Sequence, residues 1–172
     1  MTKHIRLATL ADARALATIH VEGWQAAYQH IVPPELFASR SVDAREREFV
    51  ELLSHPGDDD RVWVCESPRD VVGFAYTRSG KDVDIARPGE LKLFYVSPAL
   101  RGSGIGLALF EHAIADLQGR SLSPYLYTFR DNAAARQWYE KRGWRADGAA
   151  APWSDKGDYP ELIEVRYRPA PV

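Results

Sequence analysis

The chain has 172 residues, 45% of them hydrophobic and 27% charged, with a formal net charge of -2. That length suits one globular domain over 1–172 with a sizeable core, and leaves little room for two. The charges are dispersed, which argues against nucleic acid as a partner. No apolar stretch nears the roughly 20 residues that span a bilayer and no signal-peptide pattern opens the chain, so the expected setting is cytoplasmic, without membrane.

In chain order, Ile5-Arg6-Leu7 reads as a first strand. Thr9 with Asp12 three positions on can cap a helix in which Leu16, His20, Trp24 and Tyr28 recur at helical spacing, until Pro33-Pro34 stops it. A second helix is predicted over about 42–53, followed by a Pro-Gly-Asp break. Residues 61–66 and 71–77 are rich in β-branched and aromatic side chains and read as a hairpin, with a loop over 78–89 behind it. In the next strand, 91–96, Leu91, Leu93 and Tyr95 face one side and Lys92, Phe94 and Val96 the other, which predicts a central strand covered on both faces. A helix over 107–117, a strand over 125–129, a helix capped by Asp131 or Asn132 and ended by Gly143, and two strands carrying Trp144 and Ile163-x-Val165-x-Tyr167 complete the chain. The lone Cys65 cannot form an internal disulfide, and neither it nor any thiol cluster points to a metal.

Between the central strand and the following helix lies Arg101-Gly102-Ser103-Gly104-Ile105-Gly106. Glycines permit positive φ and close approach, and the unpaired N–H groups of a new helix favour an anion such as a pyrophosphate. A dinucleotide GxGxxG fails because position 107 is Leu107, and a P-loop fails because no lysine follows Gly106. Taken alone, the hexapeptide is equally an ordinary strand-to-helix turn.

The combination Val96-x-Pro98, Arg101-x-x-Gly104-x-Gly106 and Asn132-x-x-Ala135-x-x-x-Tyr139-Glu140-x-x-Gly143-Trp144 resembles the GNAT superfamily of N-acetyltransferases, and Trp24-Gln25-Ala26-Ala27-Tyr28 with Ile31-Val32-Pro33 is similar to the opening of one of its bacterial branches. The resemblance implies an α/β fold with a mixed, mainly antiparallel sheet flanked by helices, splayed beside the glycine turn to admit acetyl-coenzyme A as co-substrate. It also implies that the amides of Gly102, Ser103, Gly104, Ile105 and Gly106, with Arg101 beside them, hold the pyrophosphate. Leu93 to Val96, with Phe94, Tyr95 and Val96 as the contacts, would flank the pantetheine and thioester, and Asn132, Arg136 and Tyr139 would contact the coenzyme. Tyr139 stands where the family often places the acid for the departing thiolate. Glu90, at the start of the central strand, stands where a carboxylate often deprotonates the acceptor. The segment Thr128-Phe129-Arg130-Asp131 departs from the branch's usual aliphatic-Glu-Gly.

Each residue also has a plainer reading. Glu90 fits a solvated strand end, Tyr139 a core aromatic, and Trp24 and Tyr28 either core positions or the border of an acceptor pocket. Cys65 reads as inert, and Asp82, Asp84, Asp155 and Asp158 as loop charges that could attract an amine. The expected activity is direct acetyl transfer to a primary amine of a small molecule, since no Ser-His-Asp or Cys-His set is evident. The rival is a coenzyme-binding module without turnover. Related proteins often dimerise, which makes a homodimer the expected protein partner.

Overall fold

The computed structural model describes residues 3–68, 70–153 and 158–171. β1 (His4–Leu7) leads through a short 3-10 turn into α1 (Ala13–Tyr28). The Thr9–Asp12 capping pair forms there, with the Thr9 N–H donating to Asp12 Oδ2 at 2.7 Å. Asp12 also accepts a forked pair from Arg6, at 2.8 and 2.9 Å, which ties β1 to the start of the helix. The Arg6 bonds hold the Asp12 carboxyl down at about 2. A folded value below the free one means that the associated stabilisation is complete above about pH 4 and disappears as the pH falls through 2. Asp12→Asn is therefore expected to cost about 2 kcal/mol at pH 7, a drop in Tm of about 4–8 °C, with the gap to the parent closing in melts repeated below about pH 3.

The first helical run ends before Pro33, as its prolines require, but Pro34 opens a short helix, α2 (Pro34–Ala38), that the sequence reading lacks. Proline is tolerated in a first turn because the N–H it removes has no intrahelical partner there. α3 (Val42–Ser54) is capped by Ser41, whose Oγ accepts from the Ala44 N–H at 3.1 Å. β2 (Arg61–Ser67), β3 (Asp70–Ser79), β4 (Pro88–Val96), α4 (Ile105–Gly119), β5 (Ser123–Phe129), α5 (Ala133–Glu140), β6 (Trp144–Pro152) and β7 (Ile163–Pro169) follow in the predicted order. β3 and β4 extend into the expected 78–89 loop from both sides, and Asn132 rather than Asp131 caps α5.

The seven strands lie in the order β1-β2-β3-β4-β5-β7-β6, and every pairing is antiparallel except β4 with β5. On one face, Leu16 of α1 and Phe49 of α3 pack against Val64 and Phe74. On the other, Leu109, Ala113 and Leu117 of α4 pack against Ala75, Leu91 and Leu126. Cys65 is buried beneath α4, and burial pushes its thiol pKa up, as suits an inert core residue.

The detail that matters for function is in β4. Its register against β3 pairs Tyr76 with Leu93 and the next residue, Thr77, with Leu91, so Lys92 is an extra residue. This bulge breaks the strict alternation expected for 91–96: Leu91 joins Phe94 and Val96 on the α4 face, while Leu93 and Tyr95 join the α1 face. The β4–β5 pairing stops at the same level, its last pair being Glu90 with Tyr125. A bulged strand bends, and here the two parallel strands part beyond it. The central strand is accordingly only partly covered over 93–96.

Candidate functional site

The parting of β4 and β5 opens a cleft of about 790 Å³ that reaches both faces of the sheet. That is within the range of small-ligand sites. From 91 to 96, β4 makes no ladder with β5, so the N–H and C=O groups on that edge are free to pair with an extended ligand. Each face of the sheet contributes a different wall.

On the α4 face the wall is the glycine turn and α5. Gly102 and Gly104 have φ of 81° and 77°, in the left-handed region, and Gly104 is the N-cap of the 15-residue α4. Ser103 Oγ donates to the Leu100 carbonyl at 2.6 Å and accepts from the Ile105 N–H at 3.4 Å, which fixes the turn from within. Among the described residues the N–H groups of Gly102, Gly104, Gly106 and Leu107 have no partner. They and the helix dipole make an anion cradle, flanked by Arg101 and by Arg142. The Arg142 guanidinium lies 3.5 Å from the centroid of the Trp138 ring, which itself packs on Phe94 at 5.6 Å. Ile105 takes part only through its backbone, since its side chain is core.

Tyr139 stands where the two faces meet. Its ring is buried and packs against Trp138 and Phe110 at 5.3 and 5.8 Å between centroids. It lines the cleft, yet its hydroxyl makes no hydrogen bond among the described residues. Burial pushes its pKa well above the ordinary phenol value, with the nearby Tyr28 adding to the shift.

On the α1 face the wall is aromatic. Trp24 meets Tyr28 edge-on at 5.4 Å, and Tyr28 meets Phe129 of β5 at 4.9 Å. Gly23 lets α1 approach Tyr95 closely, since a Cβ there would lie 2.7 Å from the ring. His20, beside Tyr95 at 4.7 Å, is held neutral by burial, its pKa lowered to about 3. Asn132 accepts the Ala135 N–H at 3.2 Å as a helix cap and lines the cleft on this side.

Glu164 completes this side. It lies on β7 opposite Phe129 in the antiparallel ladder, and lines the cleft. Burial raises its pKa to about 7, Lys92 opposing and Glu90 adding to the shift. A carboxyl that titrates near neutrality on a cleft wall is suited to taking a proton.

Of the residues named from sequence, Trp24, Tyr28, Phe94, Tyr95, Val96, Arg101, Gly102, Gly104, Gly106, Asn132 and Tyr139 meet on this one cleft. Two do not. Glu90 is buried and outside the cleft wall rather than solvated: Arg78 binds its Oε2 through Nε and Nη2, both at 2.7 Å, and Lys92 stands 3.5 Å from Oε1. Arg136 turns away as well, donating to Tyr167 Oη at 3.0 Å and to the Arg130 carbonyl at 2.9 Å, and so braces α5 on β7. Asp82 and Asp84 are engaged by Arg166; Asp158 is exposed, and Asp155 lies outside the described residues. Glu164, Arg142 and Arg40 were missed. The available signal for Glu164 was an acid alternating with β-branched residues in Ile163-Glu164-Val165.

Among the described residues no helix is long and apolar enough to cross a membrane. Comparison with known proteins agrees with the geometry. A probable N-acetyltransferase of Mycobacterium tuberculosis is 27% identical over 97% of this chain and 95% of its own. Among solved structures, the PaiA N-acetyltransferase of Thermoplasma acidophilum, in complex with coenzyme A, superposes with a TM-score of 0.79 at 18% identity, over 98% of this chain and 99% of that one. A GCN5-related N-acetyltransferase of Rhodopseudomonas palustris does so with a TM-score of 0.74 at 22% identity, over 99% and 97%. Residues 18–144 match the sequence profile of the acetyltransferase (GNAT) family, and with a glycine turn, a parted β4–β5 pair and Tyr139 all inside that span, the chain belongs to that family.

Proposed function

We propose that this acetyltransferase moves an acetyl group from acetyl-coenzyme A directly to a primary amine of a small molecule, with Glu164 as base and Tyr139 as acid. The observation that carries the reading is the cleft through the parted sheet, which has a proton acceptor on its α1 face and a protonated phenol at the junction with the other. The residues fit the coenzyme: four free amides and two arginines suit the pyrophosphate, and the unpaired edge of β4 suits the amide-bearing pantetheine arm.

When bound, acetyl-coenzyme A supplies a thioester whose carbonyl carbon is attacked by the amine nitrogen and whose C–S bond breaks. Glu164 takes the proton that the nitrogen loses as the new C–N bond forms. The free N–H groups of β4 are the donors available to the developing oxyanion. Tyr139 gives its phenolic proton to the departing sulfur, then regains one as Glu164 releases its own to solvent. Holding the two reactants in one cleft supplies the remainder of the acceleration through proximity.

Thiol release from acetyl-coenzyme A, measured over a panel of primary amines, tests this reading. Turnover with at least one small amine is expected, with no acetylated side chain in a single-turnover digest. Tight coenzyme binding without thiol release on any amine would make the protein a binding module instead. Gly104→Ala is expected to weaken coenzyme binding about tenfold by calorimetry, since a left-handed backbone costs an L-residue roughly 1–2 kcal/mol and a turn that relaxes to avoid the strain must be rebuilt on binding.

A further inference from the structure

The cleft wall is unevenly charged. Arg40, Arg45, Lys92, Arg101 and Arg142 line it, against the single acid Glu164, although the whole chain carries a net charge of -2. Arg101 and Arg142 belong to the glycine turn and to the turn after α5, on the face assigned to the coenzyme. Lys92 leans on Glu90, and Arg45 is paired with Glu48. Arg40 is left over.

Arg40 follows α2 and lies over the acceptor wall. Its guanidinium carbon is 4.6 Å from the Trp24 ring centroid and 5.5 Å from that of Trp153. Among the described residues it makes no ion pair and its side chain makes no hydrogen bond, and its Nε is fully enclosed without a partner. Burying a cation without a counter-charge is expensive, and two indole faces recover only part of that cost. The neighbouring Arg45 adds like-charge repulsion, and His20, being neutral, offers no compensation. A guanidinium kept half-buried over indole rings and, among the described residues, unpaired has the form of a binding group whose anion arrives with the substrate.

Resting on the reading of this cleft as the acetyl-transfer site, we infer that the acceptor is a small amine that also carries a carboxylate, an amino acid in the broad sense, with the carboxylate on Arg40 and the amine directed towards Glu164. A ring path joins the two groups: Arg40 lies over Trp153, Trp153 meets Phe129 at 6.1 Å, and Phe129 pairs with Glu164 across the β5–β7 ladder. A diamine or polyamine would bring a second cation to a wall that already holds Arg40 and Arg45, so the same observations disfavour it.

The test uses matched acceptors, the common amino acids with β-alanine and γ-aminobutyrate, each against its carboxamide and its decarboxylated amine, together with linear diamines and polyamines. The best acceptor is expected to be a carboxylate, with kcat/KM more than about tenfold above that of its amide, the loss falling mainly in KM. In Arg40→Met that acid-to-amide ratio collapses towards one, and Arg40→Lys, which keeps charge without the fork, restores only part of it. Calorimetry of the N-acetylated amino acids on protein saturated with coenzyme A gives a second readout, independent of turnover. Carboxylate-selective binding that Arg40→Met abolishes, with no thiol release, would sink the catalytic reading and keep this one. Preference for polyamines, or an acid-to-amide ratio that Arg40→Met leaves unchanged, would overturn the inference while leaving acetyl transfer intact.

Discussion

Tyr139→Phe lowers kcat about 10²-fold while the KM for acetyl-coenzyme A stays within about threefold, the pattern of a group needed only as the thiolate leaves. The structure makes this substitution unusually clean. The ring is core, packed on Phe110, Trp138 and Tyr167, and phenylalanine keeps all of those contacts. The hydroxyl has no hydrogen bond to lose among the described residues, so the melting temperature should not move. Because burial holds the phenol protonated well above its ordinary range, the ratio of parent to variant rates should be flat from about pH 6 to 9. Unchanged kcat would remove the acid role; a collapse in coenzyme affinity would make Tyr139 a binding residue. Tyr139→Ala could not separate these outcomes, since it empties a core position whose loss costs about 3–5 kcal/mol.

What could be read from the sequence was what is written locally. The capping pair Thr9–Asp12, the periodicity of α1 and α4, the left-handed turn at Gly102 and Gly104, and the Asn132 cap each depend on residues a few positions apart, and each forms. The elements that set the chemistry depend on distant pairings. Glu90 and Glu164 both stand on strands beside the opening, but the bulge at Lys92 and the end of the β4–β5 ladder decide which of them faces it. Arg78, on β3, then claims Glu90. Neither bulge nor partner is visible in 91–96, an apolar and aromatic run in which Lys92 is the one charged residue. Arg40 illustrates the same point: its meaning comes from Trp24 and Trp153, which the chain brings together from opposite ends.

Glu164→Gln should reduce kcat/KM for the amine about 10²-fold or more at pH 8, and its pH dependence distinguishes a base from a merely structural side chain. The carboxylate is the active form. With the folded pKa at about 7, the parent loses activity as pH falls through 7, at up to tenfold per unit, while the variant lacks that ionisation. Free amine also becomes scarcer at low pH, but equally for both proteins, so the ratio of parent to variant isolates Glu164: level above about pH 8 and declining below 7. Stability moves with the opposite sign. A carboxyl raised by burial binds its proton more tightly folded than unfolded, so the parent is favoured below about pH 4.5 and loses that advantage as pH rises through 7. Glutamine carries no such penalty, and the variant should melt higher than the parent at pH 8, the gap narrowing towards pH 5. A variant that is slower and also less stable at pH 8 would mark Glu164 as a structural ion, and would return the search for the base to water held elsewhere on the α1 wall. A variant slower but more stable is what a carboxylate kept for proton transfer at a cost in folding free energy predicts.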